Sequence, residues 1–282
     1  MSTKKIGFVD LYISEWHANN YPRWMAKICE ANGLDFKVAY AWAEIDKSPT
    51  DGVTTDEWCQ QNGVEKCATI DELCEKSDMI VILAPSNPEA HLGFAEKVLK
   101  YRKPTYIDKT FAPDAETSAK IFALSEKYGT PFFSTSALRY GEELDLVESP
   151  TTVITTGGGS SAQEYIIHQI EMVVKKLGIG AKSVRATEVG GAVCFHVRYD
   201  DGRAAQMTYS SGSLGFTIYM MNDTASKFRK VESDFFKILM KDILVFFETG
   251  KISFDTKETH EAMKIREAVL KAMAALDTWV EI

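Results

Sequence analysis

Glu164, His168 and Glu171 are spaced four and then three residues apart in EYIIHQIE, a stretch with the apolar period of a helix. At i, i+4 and i+7 the three share one helix face. A histidine with a carboxylate one turn away is equipped for proton transfer, because the ordinary imidazole pKa lies near neutrality. The stripe also reads as the charged outer face of an amphipathic helix, continued by Lys175, with Ile166, Ile167, Ile170, Val173, Val174 and Leu177 on another face. Lys109 closes the strand-like run KPTYID, at the carboxyl edge where open parallel sheets hold ligands. There it serves either as a hydrogen-bond donor to a ligand or as a solvated lysine at a strand end. A third cluster, Tyr12, Glu15, Trp16, His17, Asn19, Asn20 and Tyr21, sets aromatic rings beside hydrogen-bonding groups. Such a mixture suits sugar faces and hydroxyls, and equally an ordinary helix start capped by Ser14 or Asp10.

Short apolar runs alternating with amphipathic helices must position these residues. KIGFVD, DFKVAYAW, SDMIVILAP, KPTYID and TPFFST read as strands. Helices are predicted over 15–31, 71–76, 87–101 and 113–128, and the pattern is that of a doubly wound parallel sheet. After Ser134 the pattern changes. A helix over 161–177 is preceded by GGGSS, read as a short loop, and followed by β-rich sequence from Lys182 to Met221. Within that stretch Asp201-Gly202 marks a tight hairpin, and helices over 231–248 and 257–276 finish the chain. The fold class is α/β: a Rossmann-like domain over 1–134, then an α+β domain with a mostly antiparallel sheet over 135–282.

The formal charge of -8 excludes a general affinity for nucleic acid, which needs a basic surface. The longest apolar runs are of strand length, too short to span a bilayer, and MSTKKIGFVDLY is a poor signal peptide. Five cysteines, an odd number without zinc spacing or a CxxC pair, read as free thiols of a cytoplasmic protein. No dense ligand spacing points to a metal.

Three segments, DELCEKSDMIVILAPSNPEAH, KPTYIDKTFAPD and EYIIHQIE, together with the ending ALDTWVEI, carry a likeness to a known family. Their order and separations resemble the glucose-fructose oxidoreductase / inositol dehydrogenase family (Gfo/Idh/MocA) over essentially the whole length. The resemblance implies an oxidoreductase acting on a sugar or polyol with NAD or NADP. It implies that Pro85 and Asn87, in a turn that also reads as the cap of the next helix, lie with Lys109 beside the nicotinamide. It implies that His168 takes a hydroxyl proton while hydride leaves the adjacent carbon, that Glu164 binds a neighbouring hydroxyl or orients the imidazole, and that Lys109 stabilises alkoxide charge. His17, Glu171 and Arg139 fall to the substrate, and the stripe on 161–177 to an inter-domain cleft.

The sequence departs from that family where a dinucleotide's diphosphate should lie. The three fingerprint positions after the first strand hold Asp10, Tyr12 and Glu15 in place of glycines. A carboxylate about 5 Å from a phosphate oxygen costs roughly 3 kcal/mol at an effective dielectric near 20. The second strand ends at Trp42, which could stack on adenine or simply pack, where an acid should hold the adenosine ribose. Two functions stay open. One is an oxidoreductase whose nicotinamide cofactor is held unconventionally, with Asp10 and Tyr12 among its contacts; the other is a cofactor-free ligand-binding or regulatory protein on the same scaffold. Val193, Phe195, Val197 and Tyr199 alternate with Cys194, His196 and Arg198, which predicts an open sheet face buried in a homo-oligomer, most simply a dimer.

Overall fold

The computed structural model describes residues 2–212 and 214–282. The chain forms two compact units. The first comprises residues 1–112, 116–134 and 237–253, and the second 113–115, 135–236 and 254–282. The division after Ser134 falls where the sequence pattern changes, but residues 237–253 belong with the first unit.

The first unit is built on six parallel strands: β1 (Lys4–Asp10), β2 (Phe36–Ala43), β3 (Glu65–Lys66), β4 (Met79–Ile82), β5 (Thr105–Ile107) and β6 (Phe132–Phe133). Their order is β3-β2-β1-β4-β5-β6, the doubly wound order of dinucleotide-binding domains. Helices α1 (Trp16–Asn32), α2 (Thr55–Asn62), α3 (Ile70–Lys76), α4 (His91–Val98) and α5 (Ala115–Tyr128) connect them. Ile6, Phe8, Val9, Ile80, Val81 and Ile82 are wholly buried, as strands covered on both faces require. Gly7 lets α3 approach β1, since a Cβ there would meet Ser77 Oγ at 2.3 Å and Leu73 at 2.6 Å. The sequence reading lacked α2, although Thr54 and Glu57 form a capping box, each side chain bonding the other's backbone N–H.

The second unit carries seven strands: β7 (Thr152–Gly159), β8 (Ala181–Val189), β9 (Ala192–Tyr199), β10 (Ala204–Ser211), β11 (Thr217–Met221), β12 (Ser226–Lys230) and β13 (Trp279–Glu281). Their order is β12-β11-β7-β10-β9-β8-β13, antiparallel except where β7 runs parallel to β10. α6 (Ala162–Leu177) and α8 (Lys257–Ala274) pack on this sheet. α7 (Phe235–Thr249), which begins four residues later than the sequence suggests, returns to the first unit for nearly all its length. There Phe246 meets Phe133 edge-on at 5.1 Å.

Two expectations are corrected. Gly157–Gly159 is strand, not loop: the glycines end β7, where aromatic rings crowd the backbone. A Cβ on Gly157 would meet Phe216 at 2.4 Å, and one on Gly159 would meet Tyr165 at 2.0 Å. Nor do the apolar residues of β9 form an open face. Phe195, Val197 and Tyr199 are buried and Val193 is half-buried within the unit, while Cys194, His196 and Arg198 point to the more exposed side.

Candidate active site

In the first unit the carboxyl ends of β1, β4 and β5 lie side by side, where the strand order reverses. Asp10 ends β1 and is 1% exposed. Its Oδ1 accepts the N–H groups of Leu11 (2.7 Å) and Ala84 (3.0 Å), while Oδ2 is buried without a hydrogen-bond partner. Burial first, and the Glu15 carboxylate second, push the Asp10 carboxyl well above the ordinary range. Glu15 is the N-cap of α1, its Oε2 accepting His17 N–H at 2.8 Å and its Oε1 accepting Ala18 N–H. Its carboxyl is also raised, chiefly by burial.

Asp108, at the end of β5, forms the centre of a buried polar group. His17 Nδ1 hydrogen-bonds Asp108 Oδ2, and Tyr21, one turn along α1, reaches His17 Nδ1 at 3.1 Å and Asp108 Oδ1 at 3.3 Å. Tyr106 donates to Asp108 Oδ1 at 3.3 Å and Lys109 N–H does so at 2.8 Å. Burial alone would raise the Asp108 carboxyl, but the charge and hydrogen bond of His17, with the charge of Lys109, hold it below the usual carboxylate range. Lys109 is itself buried, and its Nζ donates to Pro85 O at 3.3 Å. The carboxylate thus orients the imidazole of His17 through Nδ1. Asn87 precedes a 3-10 turn, Pro88–Ala90, without capping it through its side chain. Trp42 packs edge-on against Phe94, with ring centroids 6.0 Å apart.

The second unit gathers the other expected residues. Ser161 caps α6, which carries Glu164, His168 and Glu171. His168 Nδ1 lies 2.6 Å from Ser136 Oγ, and the ring meets Tyr165 and Phe216 edge-on at 5.8 and 5.4 Å. Glu164 accepts a hydrogen bond from Ser160 Oγ at 3.2 Å. Glu171 is 4% exposed and accepts from Thr135 Oγ1 (3.1 Å) and Arg139 (3.3 Å). Arg139 also pairs with Glu258 and stacks over Phe254, its guanidinium 4.0 Å from the ring centroid. Glu171 and Arg139 are therefore spent on each other and on the segment around Ser136. Burial raises the Glu171 carboxyl despite the arginine.

Sequence reasoning did not single out Asp108 or Ser136. Asp108 adjoins Lys109, and its aspartate at a strand end was a usable signal; Ser136 had none, since its role depends on a histidine 32 residues away. Among the described residues no group of three or more His, Cys, Asp or Glu is arranged to hold a metal ion, and no helix is long and apolar enough to cross a membrane. All five cysteines are free thiols.

Solved structures share this architecture. A probable dehydrogenase from Thermotoga maritima superposes with a TM-score of 0.80 at 12% identity, covering 98% of both chains. The myo-inositol 2-dehydrogenase of Lactobacillus plantarum gives 0.77 at 13% identity, covering 100% of each chain. The WlbA dehydrogenase of Chromobacterium violaceum, in complex with NADH and UDP-GlcNAcA, gives 0.75 at 12% identity, covering 100% of this chain and 96% of that one. No family model and no curated protein matches the sequence. The chain shares its two-unit fold with these dehydrogenases.

Where a dinucleotide binds a domain of this fold, its diphosphate ordinarily lies on the N-terminus of the first helix, here α1. The residues present do not fit that pose. The N–H groups of His17 and Ala18 already bond Glu15, those of Leu11 and Ala84 bond Asp10, and Tyr12 stands where the middle glycine would be.

Proposed function

We propose that the protein is an oxidoreductase acting on a sugar or polyol, with a nicotinamide cofactor, NAD or NADP, held otherwise than on the N-terminus of α1. The Ser136–His168 pair is the observation that carries this reading. When Nδ1–H of His168 donates to Ser136 Oγ, Nε2 keeps its lone pair and can take the proton of a substrate hydroxyl. Glu164, one helical turn earlier, is the acceptor for a neighbouring hydroxyl, and Lys109 carries the charge-stabilising role. Free cysteines and ordinary soluble composition support a cytoplasmic protein, and a homo-oligomer belongs to the same reading. The test is a panel of sugars and polyols assayed for reduction of NAD and NADP. His168→Asn should lower kcat about 100-fold to 10,000-fold; no turnover of any alcohol by the native chain rejects the reading.

A second reading, a cofactor-free ligand-binding or regulatory protein, is favoured by the two carboxylates in the turn after β1. A thermal-shift screen separates the two: stabilisation by sugars in the absence of nucleotides supports the second, and stabilisation by nucleotides alone rejects it.

A further inference from the structure

In a dinucleotide-binding unit the turn after β1 works because backbone N–H groups converge on it and have no partner within the protein. Around this turn two side chains take four backbone N–H groups. Glu15 receives His17 N–H (2.8 Å) and Ala18 N–H; Asp10 receives Leu11 N–H (2.7 Å) and Ala84 N–H (3.0 Å). The Ala84 N–H comes from just beyond the end of β4, where the backbone takes a positive φ of 66°. The donors are therefore supplied from two strand ends and one helix end, not from a helix terminus alone.

We propose that Asp10 and Glu15 together act as an internal substitute for a diphosphate, making Glu15 the residue that excludes phosphorylated ligands from the end of α1. Two carboxyl groups stand for two phosphoryl groups and use the same kind of donor. An incoming diphosphate would find its hydrogen bonds already made and would meet carboxylates in place of glycine backbone. The electrostatics agree with the geometry: the Glu15 carboxylate already disfavours charge on Asp10, and an incoming anion would meet the same negative group. Removing the Glu15 carboxylate exposes two helix-end N–H groups and lifts one negative charge, which turns exclusion into attraction. This inference goes beyond the reaction proposed above and holds whether or not His168 acts on an alcohol.

Serine is among the best N-cap residues, so Glu15→Ser keeps α1 capped through one of these N–H groups, frees the other and removes the carboxylate. The experiment is calorimetric titration of the full chain with inorganic pyrophosphate, native against E15S, with E15G as a second variant. The native chain should show no binding at millimolar pyrophosphate, and E15S should bind at least about tenfold more tightly than the detection limit set by the native chain. E15G should do the same, and its Tm, lowered by loss of the cap, should recover as pyrophosphate is added. Pyrophosphate binding by the native chain that equals or exceeds that of the variants overturns the inference, as does a folded E15S with no gain. Absence of alcohol oxidation in the panel assay bears on the proposed reaction alone, and NAD binding of equal strength in native and E15S chains supports both.

Discussion

His168 and Glu171, three residues apart on α6, hold the same short segment from one helix face. His168 Nδ1 lies 2.6 Å from Ser136 Oγ, while Glu171 accepts hydrogen bonds from Thr135 (3.1 Å) and Arg139 (3.3 Å) on either side of that serine. The histidine's orientation therefore depends on a serine whose own position is fixed by a buried ion pair. Glu171 and Arg139, to which the family resemblance gave a substrate contact, are buried here with Thr135 and Glu258 as partners.

Ser136→Ala should leave the chain folded and release the imidazole of His168. The loss of one hydrogen bond corresponds to roughly a tenfold fall in kcat. A purely structural role for Ser136 would leave the tautomer of His168 unchanged. Nitrogen NMR of the imidazole, with the pH profile of kcat, therefore checks the assignment; an unaltered tautomer in S136A would sink it.

Glu171→Gln breaks the buried pair with Arg139, whose side chain is 7% exposed, and leaves the guanidinium with Glu258 alone. Such a change costs about 3 kcal/mol, the low end for a broken buried pair. Urea denaturation of the native and E171Q chains measures it, and the midpoint should fall without a change in slope.

Asp10 makes stability depend on pH in the direction opposite to most carboxylates. Its folded pKa is raised above the ordinary 3.8. Its favourable contribution is therefore complete below the unfolded value and is lost as pH rises through the folded value. Asp10→Asn keeps an oxygen for Leu11 and Ala84 but cannot ionise. Its Tm should match the native chain near pH 4 and exceed it by about 3 °C near pH 8. Parallel Tm curves across that range would count against the buried-carboxyl account.

Gly158 should tolerate substitution least among the three glycines of β7. A Cβ there would meet backbone oxygens of Ser210 and Gly212 at 2.5 Å, whereas at Gly157 and Gly159 it meets aromatic side chains. Backbone yields less readily than a ring. Gly158→Ala should cost about 3 kcal/mol, the upper part of the overpacking range, measurable as a lower denaturation midpoint than that of G157A.

Periodicity exposed the elements that carry a strong repeat. β1, β4 and α6 are legible because runs such as Ile80 to Ile82 and Ile166 to Leu177 satisfy strand or helix spacing over their whole length. β7 is not, because GGG carries the composition of a loop; only the rings of Phe216 and Tyr165, distant in sequence, require glycine in a strand there. At the candidate site, types and spacing offered His168, Glu164 and Lys109 beside a plain structural reading, and the resemblance alone gave them roles. The partners that orient them were hidden, since Ser136 and His168 meet only after folding, as do His17 and Asp108, 91 positions apart. The replaced glycines were visible as residue types, whereas the capture of four backbone N–H groups by Asp10 and Glu15 required coordinates.

The return of α7 to the first unit constrains how this chain can be made. Phe246 and Glu248, which meet Phe133 and Lys4, leave the ribosome more than a hundred residues after β6. The nascent sheet must wait for most of the second unit to be synthesised before its last helix arrives. A gene fragment ending at Ser134 would encode a domain with an uncovered aromatic face, so the two halves cannot be separated by a single cut.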